Sequence, residues 1–159
     1  MESLELTESH FANKSILVTG SKGFLGSWLT KDLVGTSKKV FGVSLYEEDS
    51  EKTMLSNDEY DHYYFDISEY STLEELFDKY KFDIVFHLAG YKSVKESEIY
   101  PEDYIQNNIT GSINLLKLMI KYKIKNIIFS SSATVYGKQK TNIYSEKMKC
   151  FPINTYGIT

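Results

Sequence analysis

Between residues 16 and 26 the chain reads I-L-V-T-G-S-K-G-F-L-G, an apolar, β-rich run broken by three glycines. Ile16, Leu17, Val18 and Thr19 suit a short buried strand, and residues 24–34 continue as a helix. The pattern is strand, tight turn, helix, with Gly20, Gly23 and Gly26 where the backbone must bend sharply and approach another group closely. The first N–H groups of a helix have no partner within it, and the helix dipole makes that end positive, so phosphate is a natural guest. The spacing G-x-x-G-x-x-G departs from the commoner G-x-G-x-x-G fingerprint of dinucleotide sites. A glycine triplet alone also fits a plain βα turn. Its place at the head of a strand–helix alternation favours the phosphate cradle.

That alternation runs the length of the chain. Residues 40–44 read as a second strand, and residues 46–61 as a polar, acidic loop with a short helix. Tyr63, Tyr64 and Phe65 lead to Asp66 as a third strand, and Ser68 is placed to cap a helix over residues 69–80. Leu73, Leu76, Phe77 and Tyr80 recur there at helical spacing. Residues 84–88 form a nearly all-apolar fourth strand, as expected of a parallel sheet covered on both faces. Pro101 opens a long amphipathic helix to about Tyr122, carrying Ile105, Ile109, Ile113, Leu116 and Ile120, and residues 126–130 make a fifth strand. The prediction is an α/β fold, a doubly wound parallel sheet with right-handed crossovers. At 159 residues the chain is one domain, long enough to bury a core.

Charge and cysteine content exclude several functions. The net charge is −4 with no Lys/Arg cluster, which argues against a nucleic-acid or anionic-membrane surface. Cys150 is the sole cysteine, so an internal disulfide or a cysteine-rich metal site is impossible, and His10, His62 and His87 are too scattered for zinc. No apolar run reaches membrane-spanning length, and residues 1–13, read as an N-terminal extension, are acidic and unlike a signal peptide. A cytoplasmic setting is expected.

Ligands on open parallel sheets bind beyond the carboxyl ends of the strands. The residues there are chemically coherent. Asp66 can accept from an adenine amino group and Ile67 can offer the ring an apolar face, although Asp66 also suits a helix N-cap or turn. Ala89 and Gly90 let backbone pass close to a ribose or phosphate, and Lys92 adds a cation. His87, inside an apolar strand, reads as a satisfied core residue. Ser130, Ser131 and Ser132 follow the fifth strand, where a plain strand-end turn is the alternative.

T-G-S-K-G-F-L-G, H-L-A-G, S-S-S-A-T-V-Y-G and a tyrosine some two dozen residues on together resemble the extended short-chain dehydrogenase/reductase family. Residues 90–97, G-Y-K-S-V-K-E-S, and 104–111, Y-I-Q-N-N-I-T-G, are similar to the UDP-glucose 4-epimerases within it. Residues 19–29 are equally similar to CDP-glucose 4,6-dehydratases, so that part alone does not separate the two. The resemblance implies a Rossmann-like NAD-binding domain over residues 14–159, truncated after the fifth strand, covering the first half of such an enzyme. It implies that Gly20, Gly23, Phe24, Leu25 and Gly26 cradle the pyrophosphate. Asp66 and Ile67 would hold the adenine, with Leu88, Ala89, Gly90, Lys92 and Ser130 on the ribose and nicotinamide side. Asn107 would touch the cofactor, with Asn108 a close second. Ser132 would hydrogen-bond the sugar 4-hydroxyl, with Lys92 beside the substrate, and Tyr156 would be the acid/base. The implied substrate is a nucleotide sugar of the UDP-hexose class, and the long fourth helix would serve a homodimer.

Two local departures and one substitution refine this. The second strand ends at Ser44 instead of the Asp or Glu usual for NAD, with no Lys or Arg beside it in sequence, while Glu47, Glu48 and Asp49 would repel a 2′-phosphate. NAD is therefore expected over NADP. The family's Tyr-x-x-x-Lys pattern begins at Tyr156, but the chain stops at Thr159, one residue short of the lysine. Tyr156 is then expected on a free tail, and this chain by itself is expected to be inactive. Dehydratases carry an Asp–Glu pair where Ala133 and Thr134 stand, which favours epimerase over dehydratase. A noncatalytic dinucleotide-binding module is the remaining alternative.

Overall fold

The computed structural model describes residues 10–45, 59–139 and 143–159. Five parallel strands form one sheet in the order β3-β2-β1-β4-β5: β1 Ser15–Thr19, β2 Lys39–Ser44, β3 Tyr60–Tyr64, β4 Ile84–His87 and β5 Asn126–Phe129. β1 lies at the centre, paired with β2 and β4, and its Ile16, Leu17, Val18 and Thr19 are wholly buried. This is why that run is apolar without alternation: both of its faces are covered.

Side chains alternate along the strands into two cores, one on each face. Leu17, Phe41, Val43 and Val85 join Leu73, Leu76 and Phe77 of α2 (Tyr70–Lys79) and Leu115, Leu118 and Met119 of α5 (Gly111–Lys121). Ile16, Val18, Val40, Tyr60, Ile84 and Phe86 pack under Leu33 of α1 (Phe24–Leu33), with Phe11 against the Phe86 ring. Burying one such aliphatic side chain is worth about 1.5–3 kcal/mol, so the two cores supply most of the drive to fold.

Several boundaries differ from the sequence reading, each for a local reason. β3 starts at Tyr60, three residues before Tyr63, because Tyr60 pairs with Val40 and is buried in the α1-side core. The remainder of the predicted polar loop, residues 46–58 with Glu47, Glu48 and Asp49, lies outside the described residues, as do residues 1–9. Ser68 does not cap α2; Asp66 closes that turn instead, its carboxylate accepting from the Ser68 amide at 2.8 Å. The helix predicted from Pro101 to about Tyr122 is three segments: α4 (Pro101–Tyr104), a π-helical turn (Ile105–Thr110) and α5. Before them α3 spans Val94–Ile99, capped by Ser93. After β5 come a 3-10 turn, Ala133–Tyr136, and α6, Thr155–Ile158.

Candidate functional site

Two adjoining clefts open at the carboxyl ends of the strands. The larger, about 670 Å³, runs from the glycine turn past residues 88–92 to the serines after β5 and on to α6. The smaller, about 280 Å³, lies over the ends of β2 and β3. Gly20, Gly23, Ala89, Gly90 and Tyr91 line both, so the glycine turn is the waist between them.

The turn has no room for side chains. Gly20 has φ +72°, and a Cβ there would stand 2.7 Å from the Ala89 nitrogen; one on Gly26 would stand 2.0 Å from the Gly20 carbonyl oxygen. Gly23 is different. Its φ of −66° suits any residue, and a Cβ there would stand 3.1 Å from the Gly20 oxygen, a tight contact that a small shift relieves, so its smallness chiefly serves the cleft it faces. Gly23 is also the N-cap of α1 and has no capping side chain, which leaves the helix's first amides available. A negatively charged group of phosphate size fits this cradle, as the pyrophosphate of a dinucleotide requires.

Beneath the waist runs a chain of hydrogen bonds with one consistent direction. The Ala89 amide donates to Thr19 Oγ1 at 3.3 Å, and Thr19 Oγ1 meets His87 Nδ1 at 2.7 Å. His87 Nε2 meets Ser112 Oγ at 2.7 Å, and Ser112 donates to the Asn108 carbonyl. Ser112 spends its proton on that carbonyl, so His87 must donate from Nε2 and accept at Nδ1. His87 is thus the satisfied core histidine expected, and burial pushes it down to about 4. It is neutral in the fold and ties the Ala89 backbone to the π-helical turn.

That π-helical turn explains why both asparagines matter. Asn107 lines the smaller cleft and Asn108 the larger. Asn108 accepts from the Tyr91 amide at 2.8 Å, and its own amide donates to the Tyr91 carbonyl at 3.0 Å and to Thr159 Oγ1 at 3.1 Å. Asn107 donates to Asn108 Oδ1 at 2.8 Å. A regular helix was the expectation; the extra residue in the turn brings two consecutive side chains to the site, a common use of such turns.

The smaller cleft gathers Ser44, Asp66, Ile67 and Asn107. Asn114 of α5 donates to the Ser68 carbonyl at 2.7 Å, and Gly111 lets α5 approach Ile67, whose side chain a Cβ would meet at 2.8 Å. Ser44 Oγ accepts from the Lys22 amide at 3.0 Å and lies near Ser21 Oγ (3.3 Å) and His62 Nε2 (3.4 Å). Burial, and then the Lys22 charge, push His62 down to about 4. Ser44 has no basic neighbour in sequence, but the turn folds Lys22 over the end of β2 into the same cleft. Sequence reasoning missed Lys22 and His62, since only the sheet order brings β1, β2 and β3 together there.

The larger cleft brings Phe24, Leu25, Gly26, Leu88, Lys92 and Ser130 together with Ser132 and Tyr156. Ser132 caps the 3-10 turn, accepting from the Thr134 amide at 3.3 Å and the Thr134 hydroxyl at 2.9 Å. Tyr156 is not on a free tail. Its turn, α6, is capped by Asn154, its amide is bonded to Ser97, and its ring meets Tyr104 edge-on at 6.3 Å. The sequence reading put Tyr156 on a free tail because the partners of its turn lie far back in the chain. Ser112 and Phe129 also line the cleft without having been singled out.

Among the described residues no group of three or more His, Cys, Asp or Glu is placed to hold a metal ion, and no helix is long and apolar enough to cross a membrane.

The chain is similar to UDP-glucose 4-epimerases in sequence and structure. It is 36% identical over 160 residues to the enzyme of Pisum sativum, covering 93% of this chain and 45% of that protein. The solved UDP-glucose 4-epimerase of Bifidobacterium longum, in complex with NAD+ and UDP, superposes with a TM-score of 0.81 at 33% identity, over 91% of this chain and 45% of that one. The UDP-Glc/GlcNAc 4-epimerase of Campylobacter jejuni gives a TM-score of 0.85 at 28% identity, over 92% and 45% respectively. The chain therefore spans less than half the length of these relatives. The family model described as NAD dependent epimerase/dehydratase matches residues 16–159, and the chain belongs to that family.

Proposed function

We propose that this chain is the dinucleotide-binding half of an NAD-dependent epimerase that inverts C4 of a UDP-hexose. The observation that carries the reading is the continuity of one cleft from the glycine turn to Ser132 and Tyr156. The amides at the start of α1 and the open face of Gly23 would hold the pyrophosphate. Ile67 and Asp66 would flank the adenine, with Ser44 toward its ribose and Ala89, Gly90 and Asn107 against the remaining backbone-close surface. Leu88, Lys92 and Ser130 would border the nicotinamide side. NAD, when bound, supplies the acceptor for the C4 hydride and later its donor.

This chain's residues would then manage the proton. Tyr156 would take the 4-hydroxyl proton while Ser132 Oγ steadies the same oxygen, and Tyr156 would give the proton back to that oxygen as the inverted sugar forms. The Thr134 hydroxyl donates to Ser132 Oγ, which leaves the Ser132 proton free to point into the cleft. Ala133 and Thr134 offer no carboxylate for removing a proton beside the ketone, so the site favours epimerisation over 4,6-dehydration. The outward face of α5, with Ile113, Leu116 and Ile120 exposed, suits the homodimer expected of such an enzyme.

In a form of the protein extended to the length of its relatives, Tyr156→Phe should slow UDP-glucose/UDP-galactose interconversion by about two to four orders of magnitude, the range for general acid/base groups. Ser132→Ala should cost less, since it removes a hydrogen bond and not the proton acceptor. Unchanged turnover in Tyr156→Phe would refute the assignment.

A further inference from the structure

The string K-E-S-E at residues 95–98 opens onto neither cleft, yet three successive side chains of α3 reach toward Tyr156. Glu96 Oε2 accepts from the Tyr104 hydroxyl at 3.0 Å, and the Tyr104 ring stands edge-on to that of Tyr156. Ser97 is fully buried; its Oγ donates to the Val94 carbonyl at 2.7 Å and accepts the Tyr156 amide at 3.1 Å. Glu98 Oε1 accepts the Thr155 amide at 2.7 Å. On the turn itself, Asn154 Oδ1 takes the Gly157 amide at 2.7 Å.

The amides of residues 155, 156 and 157 thus all end on side-chain acceptors. A single helical turn of four residues cannot stabilise itself, because nucleation fixes many dihedrals for few bonds. Its direction must come from outside. On the opposite side Gly157 packs against the 3-10 turn, where a Cβ would stand 2.9 Å from the Thr134 carbonyl oxygen. The turn is clamped between α3 and the segment that Ser132 caps.

We propose that Ser97 and Glu98 are positioning residues for Tyr156: by accepting consecutive amides of its turn, they fix the direction in which the phenol enters the cleft. The inference rests on the reading of Tyr156 as the proton-transfer group. Its chemical logic is that a displacement of about 1 Å in a reacting group costs on the order of a hundredfold in rate. The bond from Thr155 also holds the Glu98 carboxyl below its ordinary range, as an engaged acceptor should be.

The test uses the 159-residue chain with 3-fluorotyrosine placed at position 156 alone, and reads amide hydrogen exchange together with the fluorine resonance. Glu98→Ala should speed exchange at Thr155 on the order of fivefold, as loss of a helix-capping acceptor does, and should shift or broaden the fluorine signal. Glu98→Gln keeps an acceptor oxygen at the same place and should restore both. Ser97→Ala should act likewise on the Tyr156 amide; if its buried site disturbs folding, the exposed Glu98 pair still decides the matter. Exchange in β1 and β4 and the affinity for NADH should stay at wild-type values in the Glu98 variants. An unchanged fluorine signal in Glu98→Ala, or no rescue by Glu98→Gln, would overturn the proposal. Failure of NADH to perturb the fluorine signal of the parent chain would instead count against the cofactor reading, and the exchange result would stand independently.

Discussion

The two ends of the larger cleft are built in opposite ways. The glycine end sits on β1, paired on both edges and buried from Ile16 to Thr19, with a histidine-centred chain of hydrogen bonds beneath it. The Ser132–Tyr156 end sits beyond β5, one of the two outer strands of the sheet, whose Ile127, Ile128 and Phe129 are 36%, 44% and 56% exposed. Short turns and side-chain caps carry it. The comparison teaches that the phosphate cradle is a property of the core, whereas the placement of the tyrosine depends on a few directed polar contacts. Core burial tolerates little change; capped turns can be adjusted one bond at a time.

The sharpest contrast should come from paired truncations. Leu17→Ala removes a fully buried side chain from β1 and should cost about 2–5 kcal/mol in urea unfolding. Ile127→Ala in β5 should cost less, about 1–2 kcal/mol, because about a third of that residue already faces water. Equal losses would mean that β5 is as well covered as β1.

Acid should weaken the glycine end next. His87 is 2% exposed and titrates near 4 in the fold, against an ordinary value of about 6.5. Above pH 6.5 the histidine is neutral in both states and its contribution is complete. Between pH 6.5 and 4 the unfolded chain takes up a proton that the fold refuses, so stability falls as pH falls, by up to about 3 kcal/mol from this residue. Below pH 4 the dependence flattens. Urea melts of the parent chain and His87→Asn across this range should differ in slope, the variant being flatter; parallel slopes would remove His87 from the account.

The smallest effect belongs to the exposed end. Thr134→Val deletes the hydroxyl bonded to Ser132 Oγ and should cost about 0.5–1.5 kcal/mol in urea unfolding. A loss as large as that of Leu17→Ala would show that the 3-10 turn is part of the core.

The same contrast explains what could be read from the sequence. The glycine turn was legible because its cause is local: an apolar run, three glycines and a helix within eleven residues. Asp66, Ile67 and residues 88–92 followed from the rule that ligands gather at strand ends, and the structure places them together. The anchoring of Tyr156 was not legible. Ser97 lies 59 residues before Tyr156 and Glu98 57 residues before Thr155, and no periodicity marks which amide will meet which side chain. Lys22 and His62 reach Ser44 only through the order of the strands. The π-helical turn was hidden because I-Q-N-N-I-T carries the same apolar spacing as the helix around it.

The central claim is that a dinucleotide lies in the cleft with its phosphates at the glycine turn. Trp28, the chain's only tryptophan, stands on α1 just beyond that turn and reports on it directly. Exciting Trp28 while titrating NADH measures energy transfer to the reduced nicotinamide in the parent chain and in Gly23→Asp, which adds a carboxylate at a position whose backbone angles suit any residue and whose Cβ needs only a small shift of the Gly20 oxygen. The account predicts saturable transfer in the parent chain and its loss in Gly23→Asp, with the fold intact by circular dichroism. Transfer that is absent from the parent chain, or equal in the two proteins, would contradict it.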